Sequence, residues 1–169
     1  MESFILLPEV FMMRVGHHVT GLAAGVFVAG LLHHIHPSLS WPDLLAIAVA
    51  GWFGGVAPDH LEYIPLMRIP WVPHRTFTHW GILWVAAFAW ALILAARGHG
   101  LGLFPAAVLG FTLGGLIHLV CDWPNPTGVP WFWPTSTHRH SLRLWRSGEH
   151  DFLISASAAA ASIVPWIVR

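Results

Sequence analysis

Five stretches of the chain, residues 15–32, 44–57, 80–96, 101–120 and 152–168, are apolar almost without interruption, with no Asp, Glu, Lys or Arg and with His only near their ends. A bilayer core of roughly 30 Å is crossed by about 20 helical residues, and inside it a spanning backbone must satisfy its own hydrogen bonds, which helices do. The third and fourth stretches fit that length. The first fits if it starts near His17, and the second fits when counted from Trp41 to Asp59. The fifth is interrupted by Ser155, Ser157, Ser162 and Pro165. The expected fold is therefore all-α: an integral membrane bundle of about five transmembrane helices, or four plus an interfacial helix. Hydrophobic residues make up 56% of the chain and charged ones 9%, against roughly 25% charged in soluble domains, which excludes both a soluble domain and a disordered chain. No internal repeat is visible, so residues 1–169 read as one membrane-embedded domain; Glu2 and Glu9 argue against a cleavable signal peptide.

Threading the spans alternately through a membrane sorts the polar residues. His17 and His18 open the first span, and Asp59, His60 and Glu62 close the second. His74, Arg75 and His79 precede the third, His118 and Asp122 close the fourth, and Glu149, His150 and Asp151 precede the fifth. All five clusters open on one side. The other side receives His33, His34, His36, Asp43, Arg97, His99 and the C-terminus. One shared site at one membrane face is the expectation.

Helical spacing supports the same convergence. Residues four apart drift only about 40° around a helix. The first span reads His17, Gly21, Gly25, Ala29; the second Gly51, Gly55, Asp59; the fourth Gly110, Gly114, His118, Asp122. Small residues at this spacing let membrane helices approach closely, and ionisable groups inside membranes face such packed interiors. Each stripe runs into a His or an Asp.

The chain holds 13 His and a single cysteine, Cys121, so a metal site would use imidazole and carboxylate without sulfur. His118 and Asp122 share one helix face, His74 and His79 flank Arg75 in HRTFTH, and Asp59 and Glu62 lie a turn apart in PDHLE. Such ligands suit a divalent metal, zinc in a catalytic site, or manganese or iron, as one or two ions. An ion of this kind lowers the pKa of water and polarises a phosphoryl or carbonyl oxygen, so hydrolysis is the expected chemistry. The proposed ligands are His17, Asp59, His74, His79, His118 and Asp122. Glu62 is a further ligand or the general base, and Arg75 would stabilise transition-state charge.

These strings resemble the YdjM-type membrane-bound metal-dependent hydrolases. The counterparts are His17 in GHHVTG, Asp59 in APDHLE, His74, Arg75, Thr78 and His79 in HRTFTHW, and His118, Asp122, Thr127, Gly128 and Val129 in HLVCDWPNPTGVPWFWP. The resemblance spans about residues 16–134, with a weaker echo at Gly148 and Glu149, and implies a small helical membrane protein with a metal-dependent hydrolase assignment. The sequence departs from the family pattern at Leu61, where the family has a second acid, at Thr76 in place of Gly and at Trp80 in place of Ser.

Residues 123–150 form a site-side loop with the makings of a lid. Trp123, Trp131, Phe132, Trp133 and Trp145 suit the headgroup level. Arg139, Arg143 and Arg146 follow at helical spacing, which on a helix would put three guanidinium forks on one face as a clamp for phosphate or a lipid headgroup. An aromatic belt with flanking positive charge is the competing reading. The site side holds six arginines (Arg14, Arg68, Arg75, Arg139, Arg143 and Arg146) against Arg97 and Arg169 opposite, so by the positive-inside rule the site faces the cytoplasm of a bacterial-type inner membrane. The cations are all Arg and the formal net charge is zero, which gives no field for nucleic acid.

Other polar residues read as less informative. His33, His34 and His36 lie across the membrane, His99 sits in a short turn, and His138 and His140 lie in a loop segment. His18 and His60 adjoin better candidates, from which they point about 100° away. Cys121 reads as a small buried apolar residue. The leading expectation is a membrane hydrolase cleaving a phosphoester or related bond of a lipid-associated substrate. The alternatives are a metal transporter, a haem-binding membrane protein or an inactive scaffold. Transporters and haem carriers place ionisable groups deep within spans, where this chain has none.

Overall fold

The computed structural model describes residues 8–63, 71–97, 101–135 and 139–168. Among them the structure is helical, with no strand and with an isolated bridge between Val129 and His140. The elements run α1 (Pro8–Ile35), α2 (Trp41–Gly54), α3 (Ala57–His60), a 3-10 turn (Phe77–His79), α4 (Gly81–Arg97), α5 (Leu103–Asp122), α6 (Asp151–Ser162) and α7 (Val164–Ile167). Two segments, Arg14–Ile35 and Leu103–Asp122, are long and apolar enough to cross a bilayer. The apolar helices Trp41–Gly54 and Gly81–Ala96 and the segment Asp151–Ile167 are shorter.

The second and fifth apolar stretches are broken where the sequence weakens. α2 starts on a capping box in which Ser40 and Asp43 satisfy each other's backbone amides, and it stops at Gly54 after 14 residues, about 21 Å of helix. The chain turns through Gly55 and Val56 into the single turn α3, which starts around Pro58. Trp41 to Asp59 is thus a helix plus a turn, which delivers Asp59 off the α2 axis. The fifth stretch divides at Ile163, just before Pro165, into α6 and α7, because Pro fits the first turn of a new helix and not a helix interior.

Packing follows the small-residue stripes. α2 lies against both α1 and α5, α6 covers α1, and α4 covers α5. A Cβ on Gly21 would stand 2.3 Å from the Gly51 carbonyl oxygen, one on Gly114 2.4 Å from that same oxygen, and one on Gly110 2.0 Å from the carbonyl oxygen of Ile47. Such separations are reachable only without a side chain, and they bring the backbones of α1, α2 and α5 together along the bundle. Away from the site a cluster of Ala29, Leu44, Ile47, Ala91, Ala106 and Leu109 fills the bundle. The outer face of α4 instead exposes Ile82, Leu83, Val85, Trp90, Leu92, Ile93 and Leu94, and α6 exposes Phe152 and Leu153. A contiguous apolar exterior of this kind marks a surface built for an apolar neighbour.

Residues 123–135 and 139–150 are anchored to the bundle. The carbonyls of Pro130 and Trp131 accept from the amides of Gly81 (3.2 Å) and Ile82 (2.9 Å), which satisfies two of the amides that the start of α4 leaves without an intrahelical partner. Val129 is fully buried with Trp84 and Leu119. Residues 139–146 are not helical, so Arg139, Arg143 and Arg146 do not share a helix face as their spacing suggested. The segment is held open by pairing of Leu142 and Leu144 amides with the carbonyls of Trp123 and Pro124, and Arg143 takes a positive φ of 52°. Local backbone pairing overrides the periodicity.

Candidate metal centre

Four elements converge at the site-side end of the bundle: α1 supplies His17, α3 Asp59, the 3-10 turn His79, and the end of α5 His118 and Asp122. His79 and His118 are completely buried and Asp122 is 2% exposed, an environment in which such groups need partners.

The tautomer of His118 is decided by its surroundings. Its Nδ1 lies 2.7 Å from the carbonyl oxygen of Gly55; a carbonyl only accepts, so Nδ1 carries the proton and Nε2 of the neutral ring has a lone pair. That Nε2 is 3.3 Å from His79 Nε2, 3.7 Å from Asp59 Oδ1 and 3.6 Å from Asp122 Oδ2. His79 Nε2 stands 3.3 Å from Asp59 Oδ1 and 3.8 Å from Asp122 Oδ2. Donors about 2.0–2.1 Å from a tetrahedral ion stand roughly 3.3–3.4 Å from one another. The measured spacings of 3.3–3.8 Å start at that value, and two three-residue groups that share His118, one with Asp59 and His79 and one with His17 and Asp122, are spaced to hold a cation. His17 adjoins them, with Nε2 3.7 Å from Asp122 Oδ1 and its ring 4.0 Å from that of His118.

Glu62 lies behind this cluster, 2% exposed. Its Oε1 accepts from the Arg75 amide at 2.8 Å and the Thr78 hydroxyl at 3.1 Å and faces His79 Nδ1 at 3.1 Å. Oε2 lies 2.6 Å from His74 Nδ1. A carboxylate on the far nitrogen of a histidine fixes the ring so that its near nitrogen faces the metal. His74 stands apart from the inner four, its side chain 62% exposed at the cavity mouth; with Asp59 and Glu62 it forms a separate group spaced for a cation.

The electrostatics agree. Burial disfavours the charged form of Asp59, yet its hydrogen bond with His79 and the neighbouring imidazoles hold its carboxyl well below the usual carboxylate range. Burial likewise opposes ionisation of Glu62, but its bonds with His74, His79 and the Arg75 amide prevail and bring it down to about 2. For His79, burial lowers the pKa while the contacts to Asp59 and Glu62 outweigh it, and the net shift is upward.

Arg75 ties the two halves together. Its guanidinium pairs with Asp122 Oδ2 at 2.8 Å and donates to Thr127 and to the carbonyl of Gly128. Its backbone takes φ 58°, a left-handed conformation uncommon outside glycine, held here by Glu62 at its amide and Asp122 at its side chain. A cavity of about 200 Å³ opens over the cluster, bordered by His17, Asp59, Glu62, His74, Arg75 and Asp122 and also by Arg14.

The chain matches the model of the YdjM inner membrane proteins over residues 12–168. It belongs to the YdjM family. No match was found among the curated proteins or the solved structures. In this YdjM-family membrane protein the structure brings together His17, Asp59, His79, His118 and Asp122, with Glu62, His74 and Arg75 around them. Arg139 reaches only the rim, where it donates to the backbone of His74 at 3.1 Å; Arg143 and Arg146 do not border the cavity.

Sequence reasoning did not single out Arg14 for the cavity, nor buried Asn125, whose Nδ2 donates to Asp122 Oδ1 at 3.3 Å. The signal for Arg14 was its place one turn before His17 on α1. His18 bonds to the carbonyl of Trp52; His60 bonds to that of Val56 and borders the cavity without joining the ligand groups. At the far end of α1, His33 stacks on Trp166 and lies tilted against Trp41. Arg68, His99, His138 and Arg169 lie outside the described residues.

Proposed function

We propose that the protein is a membrane-bound metal-dependent hydrolase acting on a phosphoester or related bond of a lipid-associated substrate. The observation that carries this reading is the pair of buried imidazole Nε2 atoms of His79 and His118 with carboxylate oxygens of Asp59 and Asp122 at 3.3–3.8 Å from them, beside a cavity that Arg14 borders. A divalent ion, with zinc favoured by the nitrogen and oxygen donor set, supplies Lewis acidity that polarises a phosphoryl oxygen and acidifies water. Asp59, His79, His118 and Asp122 would hold it, with His17 beside Asp122 as a further donor.

The remaining roles follow from position. Glu62 orients His79 through Nδ1 and is fully engaged, so it acts through its histidines. His74, half out in the cavity mouth with Nδ1 held by Glu62, is placed to carry a proton to or from substrate through Nε2. Arg75 fixes Asp122, and Arg14 on the cavity border offers the planar fork that suits a phosphate. The apolar exteriors of α4 and α6 support a five-span arrangement in which α2, α4 and the α6–α7 segment also lie in the bilayer. The excess of arginine at the site end supports a cytoplasmic site.

The test is hydrolysis by the purified protein loaded with Zn²⁺ or Mn²⁺, offered phosphomonoesters, phosphodiesters and carboxylic esters on lipid carriers. Metal-dependent turnover of a phosphoester, abolished by Asp59→Asn and by His118→Ala, is expected. Absence of turnover across the panel by metal-loaded protein would overturn the proposal.

A further inference from the structure

A second, smaller chamber of about 20 Å³ lies between α1 and the start of α6, on the other side of His17 and Asp122 from the main cavity. Three buried polar atoms without a hydrogen-bond partner, His17 Nδ1, Asn125 Oδ1 and Asp151 Oδ2, belong to residues that line it. Most buried polar atoms are partnered, so three orphans around one small space need a common explanation.

The identity of each atom can be fixed. Asn125 is 3% exposed and its Nδ2 donates to the Asp122 carboxylate and to the Ser147 hydroxyl at 2.9 Å. A carboxylate accepts only, which settles the amide orientation and makes Oδ1 an unpaired acceptor. Asp151 Oδ2 is an acceptor too, packed against the backbone of Gly16, where an added Cβ would lie 3.2 Å away. If His17 Nε2 is to face a cation beside Asp122, Nδ1 must carry the proton and donate. One donor and two acceptors match a single water, which accepts once and donates twice. A cation fits poorly, since it cannot accept from N–H. The volume suffices for one water, which needs about 10–15 Å³ and two to four polar partners.

We propose that Asp151 is a positioning residue for the metal centre, acting through one buried water that accepts from His17 Nδ1–H and donates to Asp151 Oδ2 and Asn125 Oδ1. The arrangement holds the His17 ring with its Nε2 lone pair turned to Asp122, as Glu62 does directly for His79. It rests on the reading of the site as a divalent-cation centre. It also explains why the start of α6 is drawn onto Gly16.

Two readouts test it. Metal-free protein labelled with ¹⁵N-histidine, with His17 assigned by His17→Gln, is expected to show the Nδ1-protonated tautomer, and Asp151→Ala to show a tautomer mixture. Zn²⁺ affinity by chelator competition is expected to fall about 10- to 100-fold in Asp151→Ala and less in Asp151→Asn, whose amide oxygen still accepts from the water. Glu149→Gln, a neighbouring acid that bonds the Arg146 amide, should stay within about twofold of wild type. An Asp151 that serves only as a helix N-terminal charge would change stability and leave the tautomer alone. An unchanged His17 tautomer with wild-type Zn²⁺ affinity in Asp151→Ala overturns the proposal. Failure of the wild type to bind Zn²⁺ overturns the metal-centre reading, and the tautomer measurement still decides whether Asp151 orients His17.

Discussion

Replacing Glu62 by Gln tests whether the outer carboxylate builds the centre. The side-chain amide in Glu62→Gln keeps one oxygen that can accept from the Arg75 amide, Thr78 and His79, but puts an NH₂ where Oε2 now meets His74 Nδ1 at 2.6 Å. Hydrogen bonds to a charged group contribute about 1.5–3 kcal/mol and neutral ones about 0.5–1.5 kcal/mol. The His74 contact survives only with that exposed ring in the tautomer whose Nδ1 accepts from the new NH₂, and the three bonds to Oε1 lose their charge assistance. Because the contacts share one carboxylate, their losses do not add, and a total of about 2–4 kcal/mol is expected. For the metal the expectation is an affinity about 10–100-fold weaker, since His79 is no longer held by charge. Thermal unfolding in detergent reads the first quantity and chelator competition the second. A Glu62→Gln protein that unfolds at the wild-type temperature and binds Zn²⁺ with wild-type affinity would show that Glu62 does not build the centre.

Other outcomes follow from the same geometry. Gly110→Ala sets a Cβ 2.0 Å from the Ile47 carbonyl oxygen, and this overpacking should cost about 1–3 kcal/mol or more in unfolding assays, because rigid backbone must move. Arg75→Met leaves Asp122 buried without its 2.8 Å partner and should cost about 3–5 kcal/mol in the same assay. Arg143→Ala should leave substrate KM unchanged, whereas Arg14→Ala, at the cavity border, should raise it. Metal binding requires the His79 Nε2 lone pair, and the pKa of His79 is raised; below that pKa Zn²⁺ must displace a proton, so measured affinity should weaken as pH falls and level off above it. The Glu62 carboxyl, held at about 2 against an ordinary 4.5, is depressed by folding. Its contribution is therefore present above about pH 4.5 and lost as pH falls toward 2.

Much of the centre was legible because membrane helices encode contact in small residues. The stripes ending at His17, Asp59, His118 and Asp122 are the close-packing surfaces, and the side chains that finish each stripe are delivered to one point. What periodicity missed lies outside the helices. The 139–146 segment has helical arginine spacing, yet its backbone pairs with Trp123 and Pro124, which no pattern within the segment discloses. The break of α2 at Gly54 and the role of Glu62 behind His74 and His79 depend on how residues 55–63 and 71–79 fold over one another. Asn125 lacked a signal because its importance comes from what stands across the space from it, the Asp122 carboxylate.

Metal content per chain in purified protein decides whether Asp59, His79, His118 and Asp122 build a divalent-cation centre. At least one equivalent of a divalent metal is predicted, lost in His118→Ala and in Asp59→Asn variants that remain folded. Substoichiometric metal in folded wild-type protein after loading with Zn²⁺ or Mn²⁺, or unchanged content in both variants, would contradict it.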